Sequence, residues 1–196
     1  MYNFNEFKNW IDWNRFDKGI KLVDLEKNLN QSENRFAKGQ YIQSVFENTN
    51  TMNNIKYVGE DETDYDFLFE QWDNAKVECK SLREMLFYKN GTIKDYTPTI
   101  NLKNKLSDKD IPYLKEFDIL LLVQSSIWSG VGFVLHDNIK KLIGKMSSKF
   151  EVKVPKEMIT IVHKNYIRDI ETKAPMNISC YKSIKEKMNE AIQSNS

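Results

Sequence analysis

One segment restricts the fold more than any other: FDILLLVQ, residues 117–124, in which only Asp118 and Gln124 are polar. A run of this length without polar alternation is typical of a central β-strand that is covered on both faces. Such a strand needs further strands beside it and other layers of structure above and below. The chain is therefore expected to fold around a sheet with two covered faces.

Further strands and helices are predicted on both sides of this run. Strands are expected at 55–58, 66–70, 75–80, 151–154 and 158–164, with 66–70 and 75–80 forming a hairpin around a turn at Asp73-Asn74. Helices are expected in NEFKNWIDWNRF, SENRFAKGQYIQSVFENTN (capped by Ser32), SLREMLFY and VLHDNIKKLIGKMSSK (capped by Asp137), and a loop in SSIWSGVG. The predicted class is α/β or α+β, with helices flanking a central mixed sheet.

Length and composition favour one domain. The chain has 196 residues, of which 40% are hydrophobic, enough for one core. Residues 1–50 are expected to form a helical N-terminal part, 55–170 the sheet core and 190–196 a frayed tail. No leader pattern and no apolar run of about 20 residues is visible, so we expect a soluble, cytoplasmic protein without a membrane partner. Cys79 and Cys180 form no CxxC pair, and reduced thiols are expected.

Charge is distributed unevenly. Residues 101–196 carry 16 Lys and Arg against 11 Asp and Glu, whereas residues 1–100 carry 13 against 17. An acidic half suits a metal ion and a basic half suits an anionic polymer, although scattered solvated charges explain the same counts. No Gly-rich phosphate loop, GxSxG elbow or dinucleotide fingerprint occurs, so no nucleotide cofactor is expected. His136 and His163 are isolated from other ligand-type residues and are expected to be surface or structural histidines.

The predicted hairpin at 66–80 carries the clearest candidate site. Glu78 and Lys80 share one face of their strand, while Val77 and Cys79 point into the core, and the pairing brings Asp66 close to the end of the partner strand. Two carboxylates and an ammonium group would then converge. Carboxylate oxygens suit Mg²⁺, and a lysine beside them can orient a water molecule or stabilise charge on phosphorus. This combination is typical of phosphodiester hydrolysis.

The Glu-x-Lys pattern alone is weak, because it occurs four times in the chain. One rival has the right context: FEVKV alternates like a strand and contains Glu151 and Lys153, with Asp118 as an upstream acid. Its acid is distant in sequence, and a half-exposed strand explains FEVKV equally well. The hairpin is favoured because its strand alternation and pairing put three charged groups together. Asp64 is an alternative first acid, and Asp66 is preferred because FLF follows it directly.

This arrangement resembles the PD-(D/E)XK nuclease superfamily, whose pattern is an acid at a strand start, a turn, and a strand ending in (D/E)xK. Asp66, Glu78 and Lys80 match that pattern, and Tyr65 stands where the name has proline. The resemblance covers residues 33–90 best. It implies an αβββαβ core with additional N-terminal helices, and Glu47 in GQYIQSVFE matches the helical acid that supports such sites.

The resemblance also implies the chemistry. It would be Mg²⁺-dependent hydrolysis of double-stranded DNA to 5′-phosphate and 3′-hydroxyl ends, with Asp66, Glu78 and the Cys79 backbone carbonyl as metal ligands and Lys80 at the attacking water. Within the superfamily the chain looks most like a type II restriction endonuclease, which usually acts as a homodimer on a palindrome. Two alternatives stay open: a nuclease that reads DNA structure in repair or recombination, and a non-enzymatic DNA-binding protein in which the three charges form only an ion-pair cluster.

DNA contacts are nominated by side-chain chemistry alone. The polar stretch after the hairpin supplies Lys94, Thr97, Thr99, Asn101, Lys103, Asn104 and Lys105, and the segment around Trp128 supplies Ser125, Ser126 and Ser129. The lysine face of the helix predicted over 137–149 is a third group, for which a solvated amphipathic helix is the more ordinary explanation.

Overall fold

The chain adopts an α+β fold in which helices flank a central mixed β-sheet, as the sequence predicts. The computed structural model describes residues 2–25, 35–58, 64–82, 85–104, 113–143 and 150–171. Three α-helices lie in these ranges: α1 (Trp13–Leu25), α2 (Arg35–Thr49) and α3 (His136–Ile143). The predicted cap Ser32, the end of the predicted helix at 144–149 and the tail at 190–196 lie outside the described residues.

The central sheet has six strands in the order β1-β2-β3-β5-β6-β8. These are β1 (Ile55–Tyr57), β2 (Phe67–Phe69), β3 (Ala75–Leu82), β5 (Ile119–Ser126), β6 (Trp128–Leu135) and β8 (Thr160–Tyr166). Neighbouring strands are antiparallel except for β3 and β5, which run parallel. A separate pair, β4 (Ile100–Asn101) and β7 (Glu151–Val152), forms a small antiparallel sheet. The sheet is therefore mixed because one long connection, from β3 to β5, returns the chain to the same end.

Local sequence explains the two best-defined parts of this sheet. Strand β5 is buried at every position, in agreement with its unbroken apolar pattern. The β2–β3 hairpin turns at Asp73 and Asn74, which have φ values of 56° and 57°. Asp and Asn tolerate this left-handed conformation better than most residues, and two successive positive φ values match the twist of the strands that the turn joins. The hairpin prediction is confirmed.

Two cores cover the two faces of the sheet. The first core lies under α1 and α2 and includes Phe16, Ile42 and Phe46 together with Val77 and Leu121 of the sheet. The second core lies on the opposite face, under α3 and the connection from β3 to β5; its members include Leu86, Leu102, Leu120, Leu122 and Ile139. Because side chains alternate along a strand, even-numbered residues of β3 and β5 face the second core.

The short helix predicted in SLREMLFY is wrong. Strand β3 continues to Leu82, and residues 85–88 are not helical. Met85, Leu86 and Phe87 are buried in the second core, and the backbone N–H groups of Leu86 and Phe87 donate to the Gln124 side-chain oxygen at 2.8 and 2.7 Å. None of the described residues between β3 and β5 is in an α-helix, so the second helix of the expected αβββαβ order is not found there.

The loop predicted in SSIWSGVG is also wrong, because these residues form the tip of the β5–β6 hairpin. The serines and glycines that suggested a loop serve the packing of the sheet. The Phe87 ring lies so close to Gly130 that a Cβ there would be 2.5 Å from it, and a Cβ at Gly132 would be 2.8 Å from Ile159. Glycine in a strand often marks such a close approach.

No helix in the described ranges is both long enough and apolar enough to cross a membrane.

Candidate functional site

The site is built where β3 extends beyond its partner β2. The last paired residues are Phe67 and Val77, so residues 78–82 of β3 have β5 on one side and, among the described residues, no strand on the other. Asp66 occupies the start of this open side. Its N–H donates to the Val77 carbonyl at 2.9 Å, and its Oδ2 accepts a hydrogen bond from the Cys79 N–H at 2.8 Å. The Asp66 carboxylate thus takes the place of a further strand residue.

Glu78 lies beside it with its side chain almost fully buried, at 1% exposure. Its Oε1 is 2.5 Å from Lys80 Nζ, which shows that these two residues share a face as predicted. Lys115 Nζ lies 2.9 Å from both Glu78 oxygens. A buried carboxylate is stable only when it is paired and hydrogen-bonded. The two ammonium groups provide that pairing.

The charge of Asp66 depends on this environment. The pKa of Asp66 is raised to about 6. Burial is the largest cause, and the negative charge of Glu78 adds to it. The Cys79 N–H and the ammonium groups of Lys115 and Lys80 act in the opposite direction. The negative charge of Glu78 therefore lies close enough to Asp66 to oppose the ionisation of Asp66.

Lys115 is the site residue that sequence reasoning missed. It lies in the connection between β3 and β5. Its N–H donates to the Leu102 carbonyl at 3.0 Å, and its neighbour Leu114 forms an isolated β-bridge with Lys103. This segment has neither helical nor strand periodicity around Lys115. Only the path of the connection across the second core brings the lysine to Glu78, so no local signal identified it.

The choice between the two candidate first acids follows from their contacts. Asp64 Oδ1 accepts a hydrogen bond from Asn104 Nδ2, and Asn104 also donates to the Tyr113 hydroxyl at 2.7 Å. Asp64 therefore ties the β2 side of the hairpin to the connection. Asp66 is the acid whose charge is coupled to Glu78.

Glu47, which the resemblance matched to a supporting helical acid, lies in α2. This helix packs on the first-core face, and the Glu47 side chain is exposed. Among the hydrogen bonds and ion pairs of the described residues, none joins Glu47 to Asp66, Glu78 or Lys80. The role of Glu47 stays a prediction.

The rival set of charges is also dispersed. The Asp118 side chain accepts a hydrogen bond from the Lys76 N–H at 2.8 Å, at the start of β5. Glu151 belongs to β7 of the small sheet, where it pairs with Asn101, and Lys153 is exposed. Asp118 and Glu151 thus lie in different sheets, whereas Asp66, Glu78 and Lys80 meet on one hairpin.

Several nominated DNA contacts are buried and expose no surface that DNA could reach: Thr97, Asn104, Ser125, Ser126 and Ser129. Two of these side chains form hydrogen bonds inside the protein: Thr97 accepts one from the Val154 N–H at 2.9 Å, and Asn104 donates one to Asp64. Lys94, Thr99, Asn101 and Lys103 are exposed or partly exposed, and Lys105 lies outside the described residues.

The Cys79 carbonyl points to the open side of β3. In a strand, the N–H and C=O of one residue point to the same side. Since the Cys79 N–H points to Asp66, its carbonyl also points to the open side of β3. The Cys79 thiol faces the first core, and burial raises its pKa well above the ordinary value, so it is a poor nucleophile.

Within the described ranges, no group of three or more His, Cys, Asp and Glu side chains could hold a metal ion. Mg²⁺ is commonly held by one or two carboxylates together with water and substrate phosphates, so the Asp66–Glu78 pair and a carbonyl match its donor chemistry. Comparisons with protein-family models, curated proteins and solved structures gave no match.

Proposed function

We propose that this protein is a Mg²⁺-dependent DNA endonuclease that hydrolyses phosphodiester bonds at the β2–β3 hairpin. The observation that carries the proposal is the convergence of Asp66, Glu78 and Lys80 on the open side of β3, with the pKa of Asp66 raised by burial and by Glu78. A buried aspartate whose ionisation is opposed by a second carboxylate, with an ammonium group beside them, favours binding of a divalent cation and of a phosphate.

Asp66, Glu78 and the Cys79 carbonyl would hold the cation. When bound, Mg²⁺ supplies charge stabilisation for a phosphoryl group and lowers the pKa of a bound water molecule. The protein's own part is to fix the ligands: the Cys79 N–H orients Asp66, and Lys115 orients Glu78 through both of its oxygens. A bound cation would contact the Glu78 carboxylate, whose Oε1 Lys80 contacts in this structure.

Lys80 is the residue best placed to act on the reacting groups. Its side chain is 29% exposed, compared with 17% for Lys115 and 1% for Glu78. An ammonium group at the surface of the cluster can donate to a phosphate oxygen or position the attacking water. Lys115, which is more deeply buried and bidentate, is a positioning residue.

The finer parts of the proposal follow from the resemblance to the PD-(D/E)XK nuclease superfamily. The products are 5′-phosphate and 3′-hydroxyl ends, the substrate is double-stranded DNA, and the enzyme is a cytoplasmic homodimer of the type II restriction class. A two-fold protein matches a palindromic site because each protomer then cuts one strand. In a variant of this proposal, the enzyme recognises a nick, flap or junction instead of a sequence. It would then produce no discrete fragments from an intact plasmid.

A second candidate is a binding protein without activity, in which the cluster only stabilises the fold. It is favoured by one observation: both Glu78 oxygens already contact ammonium groups, so the carboxylate is neutralised without a cation. Ion-pair networks perturb pKa values without any catalytic role.

The test is cleavage of a long plasmid by the purified protein with Mg²⁺ or with EDTA, beside Lys80→Met and Glu78→Gln variants. We expect discrete fragments that require Mg²⁺ and that fall by at least a hundredfold in both variants, since each removes a group that acts on the phosphate or the cation. Lys80→Met is the cleaner variant, because Glu78→Gln leaves the ammonium groups of Lys80 and the more deeply buried Lys115 without their carboxylate partner.

The matched control is the rival set, with Glu151→Gln and Lys153→Met combined. This control protein should cut like the wild type. Loss of cutting in the control with retention in Lys80→Met would move the site to Asp118, Glu151 and Lys153. Absence of cutting by the wild type on plasmid and on nicked, flapped and branched DNA would favour the binding protein.

A further inference from the structure

A second cluster lies on the same sheet face, at the tip of the β5–β6 hairpin and the end of β8. Lys164 Nζ is 4.5 Å from the centre of the Trp128 ring and 5.1 Å from that of Phe87. The Tyr166 ring meets Trp128 edge to face at 5.2 Å. Nearby, Lys94 Nζ lies 5.5 Å from the Tyr88 ring centre. We call Tyr88, Lys94, Trp128, Lys164 and Tyr166 the aromatic surface.

The aromatic surface is accessible. Tyr88 is 49% exposed and Tyr166 is 39% exposed, and both belong to the few large hydrophobic side chains that are exposed among the described residues. Phe87 beneath them is buried in the second core. Packing of the second core accounts for the Phe87 ring. It gives no reason for the exposure of Tyr88 and Tyr166, each of which belongs to or adjoins a contact between a lysine and an aromatic ring.

The Trp128 ring is held in place before any partner binds. The Trp128 indole N–H donates to the Lys89 carbonyl at 3.3 Å. Gly91 adopts φ 82° and lies against the Trp128 ring, where a Cβ would come within 2.6 Å of it. The turn at residues 88–91 therefore supports the indole from one side. Preorganised aromatic faces lose little conformational entropy on binding.

The surroundings are basic. The segments 88–95 and 164–169 contain four cationic side chains and two acidic ones: Lys89, Lys94, Lys164 and Arg168 against Asp95 and Asp169. One of the two acids is neutralised, because Lys156 Nζ lies 2.7 Å from Asp95 Oδ1. A partner that offers both negative charge and flat apolar faces is complementary to this surface, and a nucleic-acid strand with unstacked bases has both.

The aromatic surface and the Glu78 cluster face the same way. Lys80 pairs with Leu122, Gln124 is two residues further along β5, and Gln124 pairs with Gly130, which pairs with Lys164. Direct partners and alternate residues share a face of a sheet. Three strand spacings separate β3 from β8, which puts Lys80 and Lys164 about 15 Å apart. One strand of nucleic acid can cover both.

We propose that the aromatic surface binds an unpaired segment of a nucleic-acid strand, with bases stacked on Tyr166 and Trp128 and phosphates held by Lys164 and Lys94. This inference rests on the proposed function for the class of substrate and extends it, since duplex DNA does not offer base faces for stacking. The unpaired segment is the part of the substrate that leads to or away from the cleaved bond.

The test is fluorescence anisotropy of a labelled single-stranded oligonucleotide of 20 thymidines in EDTA, where binding is measured without cleavage. We expect Tyr166→Ala and Lys164→Gln each to weaken binding about tenfold, and Lys164→Gln also to lower the dependence of affinity on salt. The matched controls are Lys56→Gln, on the opposite edge strand β1, and Tyr96→Ala, which removes another exposed tyrosine. Neither control should change the affinity.

The outcomes separate this inference from the proposed function. Wild-type protein that fails to bind the single strand, or variants and controls that bind alike, would overturn the aromatic surface whatever the plasmid assay shows. Equal weakening of single-strand and duplex binding would also overturn it, because stacking requires unpaired bases. Tyr166-dependent single-strand binding by a protein that cuts no DNA would support the surface and refute the nuclease.

Discussion

At the scale of single residues, the hairpin illustrates how far local sequence reaches. Alternation placed Glu78 and Lys80 on one face, and the strand start at Phe67 placed Asp66 beside Val77 and Cys79 in the middle of β3. These positions follow from a period of two and from a turn of fixed length, both of which are readable along the chain. The distances between the charged groups, and the depth at which Glu78 is buried, depend on the second core and were not predictable.

The raised pKa of Asp66 gives a pH dependence of stability. Asp66 binds its proton more tightly in the folded protein, with a pKa of about 6, than in the unfolded chain, where an aspartate has a pKa of about 4. The folded state therefore holds more protons between these values, and its stability falls as the pH rises from about 4 to about 6. Asp66→Asn removes this effect, since an amide oxygen can still accept the Cys79 N–H.

Urea unfolding in EDTA at pH 4.5 and pH 7.5 measures the effect. Relative to the wild type, Asp66→Asn should gain about 2 kcal/mol of unfolding free energy between the two pH values. Asp12→Asn, at an exposed position, is the matched control and should follow the wild type. Parallel pH profiles of wild type and Asp66→Asn would show that Asp66 titrates normally.

At the scale of elements, the errors have a common cause. SLREMLFY has a helix-like composition and SSIWSGVG a loop-like one, but both are shaped by contacts across the sheet. Gln124, at the end of an otherwise apolar run, accepts hydrogen bonds from the N–H groups of Leu86 and Phe87 and donates to the Ser126 carbonyl at 3.1 Å. Tertiary contacts of this kind override local propensity.

Gln124 should therefore be required for the connection after β3. Gln124→Met keeps the side-chain volume but leaves two buried N–H groups without an acceptor, and we expect a loss of about 3 kcal/mol of unfolding free energy. Gln71→Met, at an exposed position, should change stability by less than about 0.5 kcal/mol. Chemical denaturation of both variants measures the difference. A loss below about 1 kcal/mol for Gln124→Met would mean that the connection is held by its apolar contacts alone.

At the scale of the whole molecule, a buried polar contact joins the two ends of the described chain. The Asp17 carboxylate in α1 lies 2.7 Å from His163 Nε2 and accepts from Asn165 Nδ2 at 2.6 Å, both in β8. A carboxylate only accepts, so the histidine nitrogen facing it carries a proton. Trp13 stacks on the His163 ring at 4.1 Å. The interpretation of His163 as a structural histidine agrees with this environment.

Loss of this contact should destabilise the whole domain. Asp17→Ala removes a buried acceptor that serves the donors on His163 and Asn165, and we expect a loss of about 3 kcal/mol. Asp12→Ala removes only an exposed acceptor for the Arg15 N–H at the start of α1, and should cost about 1 kcal/mol. Urea unfolding followed by tryptophan fluorescence compares the two. Equal small losses would show that α1 docks through apolar packing without help from Asp17.

The sequence by itself determined what depends on neighbours along the chain: the buried strand β5, the turn at Asp73-Asn74, and the placement of Asp66, Glu78 and Lys80 on one hairpin. Backbone geometry fixes these features over a few residues, so their pattern is visible without a structure. The tertiary structure alone decided that Lys115 pairs with Glu78 and that Trp128 contacts both Lys164 and Tyr166. These residues meet only through strand order and the path of the connection between β3 and β5, and no local period records such contacts.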